Sequence, residues 1–78
     1  MTNMYLKETI LQVVDNQVSE NSPPITRETY ERLQNLNYSN QQAKEMIAAI
    51  LLEEMYDVLK NNEPFNEERY TRNLKNLK

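Results

Sequence analysis

Glu53, Glu54 and Asp57 put three carboxylates within five residues of this 78-residue chain. Two carboxylates on one helix face can ligate a hard cation or work as an acid–base pair. Glu53 and Asp57 stand at i and i+4, where like charges repel by a few tenths of a kcal/mol. A di-metal carboxylate bundle would also want Glu-x-x-His pairs, and the chain has no His. The simpler role for the three acids is ion pairing with cations further along the chain. Those cations are Arg69, Arg72, Lys75 and Lys78, spaced every third residue. Such a row drifts slowly round a helix and can contact phosphate, as nucleic-acid readers do. It can equally complement the C-terminal end of a helix dipole and lie against the acids.

A third group has no reactive atoms. Leu52, Met55, Tyr56 and Leu59 recur at helical spacing within a segment that is already apolar on its other side. Neighbouring helices can cover them, or they form a dimer or partner surface, for which Tyr and Met are favoured.

The missing residue types narrow the chemistry further. With no Gly there is no phosphate-cradling loop and no dinucleotide fingerprint. With no Cys and no His, the familiar catalytic triads, zinc sites and haem ligation are excluded. The expectation is therefore a non-enzymatic protein with no cofactor and no metal. The net charge of −3 speaks against general polyanion binding. Nucleic acid is thus the alternative partner, and self-association or another protein the first. Seven residues, Met46 to Leu52, form the longest apolar run. A bilayer span needs about 20, so no membrane is expected. The N-terminus lacks a basic region followed by an apolar stretch, so no signal peptide is expected. The Cys-free composition fits a reducing compartment, and the expected location is cytoplasmic. Eleven Asn residues, with their AT-rich codons, point to a low-GC bacterial or phage genome.

Four helices must position these groups. Leu6, Ile10, Val13, Val14 and Val18 predict an amphipathic helix over 3–19, ended by Asn21-Ser22-Pro23-Pro24. A second runs over 27–36, with Thr26 as N-cap, Ile25 and Tyr30 as a hydrophobic staple, and Glu28 paired to Arg32. Asn37 then suits a left-handed C-terminal position. Ser39-Asn40-Gln41-Gln42 reads as a capping box opening a third helix over 40–60, apolar almost all round and so central. Pro64 closes that segment. A fourth helix over 67–77 repeats the second, with Asn66 as N-cap, Phe65 and Tyr70 as staple, and Glu68 paired to Arg72.

The repetition is wider than the caps. A shift of 40 residues superimposes Ile10 on Ile50, Leu11 on Leu51, Val18 on Val58, Asn21 on Asn61, Pro24 on Pro64, Glu28 on Glu68, Tyr30 on Tyr70 and Arg32 on Arg72. Unrelated sequences share roughly two identities over such an overlap. The chain reads as one all-α domain, residues 1–78, made of two tandem helical hairpins with a pseudo-repeat of 6–38 on 46–78. A domain this small buries only about 60% of its unfolded surface and gains from self-association.

Leu51-Leu52-Glu53-Glu54-Met55-Tyr56-Asp57, followed by Pro64-Phe65-Asn66-Glu67-Glu68-Arg69-Tyr70, resembles small uncharacterised bacterial helical proteins of the domain-of-unknown-function type. The resemblance spans residues 47–77 and implies no activity.

Overall fold

The computed structural model describes residues 4–78, with side chains from residue 7 onward. The expected helix start at Asn3 and the side chain of Leu6 lie outside the described residues. Four helices follow in order: α1 (Met4–Glu20), α2 (Pro24–Asn35), α3 (Asn40–Asn61) and α4 (Glu67–Lys75). The fold class is the expected one, all-α with four helices.

Turn chemistry explains the breaks. α1, α2 and α3 are followed by Asn21, Asn37 and Asn62, with φ of 54°, 75° and 54°. Asn tolerates this left-handed region better than other residues with a side chain, and the chain has no Gly to offer. Each Asn closes the same kind of turn. The amide of Ser22 donates to the Gln17 carbonyl at 3.1 Å, that of Tyr38 to Leu33 at 3.1 Å, and that of Glu63 to Val58 at 3.3 Å. These six-to-one bonds are the Schellman closure of a helix end.

The helix starts are less alike. Ser39 and Gln42 form the full capping box: the Gln42 amide donates to the Ser39 Oγ at 3.1 Å, and the Ser39 amide to the Gln42 Oε1 at 3.0 Å. Asn66 caps α4, accepting from the Arg69 amide at 2.9 Å. Phe65 meets Tyr70 edge-on, with ring centroids 5.5 Å apart, which is the expected staple. Replacing Ser39 or Asn66 by Ala is expected to cost about 1 kcal/mol each in urea unfolding; a null effect at either site would remove the cap from the account of that helix start.

α2 departs from expectation. It begins three residues early, at Pro24, because a proline at the first helical position lacks only an amide that would be unbonded there anyway. Thr26 is therefore no N-cap. It sits inside the first turn, fully buried, and donates to Gln17 Oε1 of α1 at 2.8 Å. Arg32 is no surface partner of Glu28. Its Nη2 donates to the Leu74 carbonyl at 2.8 Å and its Nη1 to that of Leu77, closing the free carbonyls at the end of α4. α4 itself stops at Lys75, two residues short of expectation.

The core is Ile10 and Val14 from α1, Leu33 from α2, Ala43, Ile47, Ala48 and Leu51 from α3, and Tyr70 and Leu74 from α4. α3 packs against all three other helices, and so does α2; the backbones of α1 and α4 do not approach each other. α4 runs antiparallel to α3. Its first turn meets Glu54 through Arg69, and the Lys78 carbonyl beyond its end accepts from Tyr38 Oη at 2.9 Å, just before α3 begins. With 22 residues α3 is the longest of these helices and rises about 33 Å.

Candidate functional site

Successive residues on α3 turn by about 100°. Ala43, Ile47, Leu51 and Glu54 fall on its inner side, and all are buried. Leu52, Met55, Tyr56 and Leu59, at i, i+3, i+4 and i+7, fall within a separate arc of about 100°. Leu52 is half-buried and packs its inner edge on the core. Met55 is 36% exposed, Tyr56 63% and Leu59 79%. Three large apolar side chains therefore stand in one row on the outside of the longest helix. Glu53 and Lys60 flank this row on the same side, seven residues apart. Both are exposed, and neither forms an ion pair among the described residues.

The acidic cluster is split by the fold. Glu54 points inward and is 2% exposed. Its Oε1 accepts from Arg69 Nε at 2.7 Å, and its Oε2 from Arg69 Nη2 at 2.8 Å and from the Asn66 amide at 3.0 Å. The fork of charge-assisted bonds from Arg69 holds the Glu54 carboxyl below its usual range, aided by the Asn66 amide and opposed by burial. The same contact raises Arg69. Asp57 and Glu63 lie at 3.6 Å and 4.0 Å from the guanidinium. Arg69 thus gathers Glu54, Asp57 and Glu63 at the α3–α4 corner, while Glu53, one turn before Asp57 on the same side of the helix, is not among its ion-pair partners. Among the described residues no group of three or more acidic side chains is placed to hold a metal ion.

The cation row is divided as well. Arg69 is turned to Glu54, while Arg72 and Lys75 are exposed and share a shallow, open depression with Glu67, Glu68 and Thr71. On the opposite side of the fold Lys44 pairs with Asp15 at 2.6 Å, which raises its pKa, and lies 5.7 Å over the Tyr30 ring.

One polar cluster was not foreseen from the sequence. Gln17 Oε1 accepts from Thr26 Oγ1 at 2.8 Å and from Tyr70 Oη at 2.9 Å, joining α1, α2 and α4 at one atom. Thr26 and Tyr70 are fully buried. Burial raises the Tyr70 phenol, so it stays a donor. A signal for the burial of Glu54 did exist. The 40-residue shift lays it on Val14, an apolar-face residue that is also fully buried.

Four helices on one core, an uncovered apolar row on the longest of them, and no helix among the described residues long and apolar enough to cross a membrane define a small helical domain. A family model described as "Domain of unknown function (DUF1841)" matches residues 1–76, and the chain belongs to that family. No curated protein and no solved structure matches it.

Proposed function

We propose that this chain is a small non-enzymatic interaction module of the cytoplasm, a regulator or adaptor that works as a homodimer joined through the outer face of α3. The observation that carries this reading is the outward row of Met55, Tyr56 and Leu59. Scattered exposed apolar residues are ordinary, but a row on one helix face is a docking surface. The chain's size supports the same reading. Among the described residues the core holds nine buried apolar side chains, and association adds burial to a chain of this size. The nucleic-acid reading is the weaker one: with Arg69 engaged by Glu54, it rests on Arg72 and Lys75 beside two acids.

The test is mass by light scattering after size exclusion over a wide concentration range, on the natural chain and on Leu59→Glu. The natural chain is expected to pass from monomer to dimer as concentration rises. Leu59→Glu is expected to stay monomeric with unchanged helicity and a melting temperature within about 2 °C of the natural chain at dilutions where that chain is monomeric, because the site is exposed and surface changes cost little. The dimeric natural chain melts higher as concentration rises. A natural chain that stays monomeric throughout overturns the reading.

A further inference from the structure

We propose that two copies pair their α3 helices antiparallel, in the single register that sets Glu53 of each against Lys60 of the other; this rests on the homodimer reading above. Glu53 and Lys60 are seven residues apart, so on a helix they occupy the same flank of the apolar row about 10.5 Å from one another along the axis. Both are exposed and unpaired among the described residues. In an antiparallel pair like flanks face each other, and the chain direction reverses. Opposite charges on one flank are then self-complementary, and each copy gives and receives one contact.

The numbers of facing residues in this register sum to about 113, which places the two-fold axis beside Tyr56. Tyr56 meets its own copy there, and Leu59 falls between Leu52 and Met55 of the second chain. The charge contacts and the apolar row are therefore satisfied by the same register. A parallel pair does neither. It sets Glu53 against the opposite flank, where Asn62 and the covered side of Leu51 and Val58 lie, and it brings together two helix C-termini of like partial charge. The antiparallel arrangement opposes the two macrodipoles favourably. A second copy also needs no further partner to explain the surface, because the pattern on one chain supplies both halves of an isologous interface.

Charge exchange tests the register. Glu53→Lys and Lys60→Glu are each expected to weaken the dimer about tenfold, since each variant loses two attractive contacts and gains two repulsive ones. The double variant E53K/K60E is expected to return to within about twofold of the natural chain. Mixing the two single variants is expected to give the heterodimer in preference to either homodimer, because one chain then carries two lysines on the flank and the other two glutamates. The readout is the dissociation constant from sedimentation equilibrium at low salt, with native mass spectrometry of the mixture. A natural dimer whose affinity is unmoved by the single exchanges, or is not restored by the double, overturns the register and leaves the homodimer standing. A chain that never dimerises overturns both.

Discussion

Arg69→Ala is expected to lower the melting temperature by about 15 °C at neutral pH and by markedly less near pH 4. The reason is the carboxylate that the substitution leaves behind. Glu54 is almost wholly buried, and two of its three hydrogen bonds come from the Arg69 guanidinium. Removing one partner of a buried pair strands the other charge in a medium that solvates it poorly. Arg69, by contrast, is partly exposed, so the effect is asymmetric between the partners.

The pH dependence has opposite signs in the two proteins. In the natural chain the Glu54 carboxyl titrates below its ordinary value of 4.5. Its contribution is fully present above that value and is lost as pH falls through the lower, folded-state one. In Arg69→Ala burial is no longer opposed by the guanidinium, and the folded-state value moves above 4.5. The variant then loses stability as pH rises through that value. The gap between natural chain and variant therefore widens from pH 4 to pH 7. Glu54→Gln supplies the control. The amide keeps an acceptor for the Asn66 amide, removes the charge, and should flatten this part of the pH profile in either background. Thermal melts followed by circular dichroism at four or five pH values are sufficient. A loss in Arg69→Ala that is the same at every pH would show that the pair acts by packing alone.

The pair also bears on the proposed interface. Glu54 and Arg69 fix α4 on the inner side of α3 near its C-terminal end, away from Met55, Tyr56 and Leu59. A helix free to roll round α3 would compete for that row. A defined α4 keeps the outer face open for a second chain.

Local rules in the sequence reached a good part of this fold. The capping box at Ser39, the Asn66 cap, the Phe65–Tyr70 staple and the left-handed Asn37 are each decided by residues within four or five positions of one another. What could not be read is what the helices do to each other. Arg32 at i+4 from Glu28 looks like a surface ion pair in one dimension, yet the C-terminal turn of α4 comes within reach and offers it carbonyls. Thr26 has the chemistry of an N-cap, but Pro24 starts the helix earlier and leaves the hydroxyl facing Gln17. Among the acids, helical spacing puts Glu54 on the face of Ile47 and Leu51 and Glu53 off it, but the partner that lets a carboxylate be buried there, Arg69, comes only with the packing of α4. Exposure is likewise a tertiary property. The surplus apolar residues of α3 are visible as a pattern, whereas their division into a half-covered Leu52 and an open Met55, Tyr56 and Leu59 depends on which faces of α3 the other helices cover.

Gln17→Leu is expected to destabilise the protein by about 3 kcal/mol, far more than a substitution of a half-buried residue by an apolar one of similar length suggests. Gln17 Oε1 is the acceptor for two fully buried hydroxyls, Thr26 Oγ1 and Tyr70 Oη. The two hydroxyls are also within hydrogen-bond reach of each other, so the variant leaves one of the two buried donors without an acceptor, at about 1–3 kcal/mol. Tyr70→Phe is a milder change, expected to cost about 1 kcal/mol, because Gln17 keeps its bond from Thr26 and no buried donor is orphaned. The decisive variant removes the whole cluster. Gln17→Leu combined with Thr26→Val and Tyr70→Phe deletes donors and acceptor together, and should recover more than half of the loss seen with Gln17→Leu alone. Such non-additivity is the signature of groups that share one atom. It also identifies what joins α1 to α4, whose backbones do not touch. Urea unfolding of the natural chain, the three single variants and the triple variant measures it directly. If the triple variant is less stable than Gln17→Leu by the sum of the other two changes, the three side chains act independently and the helices are held by the apolar core alone.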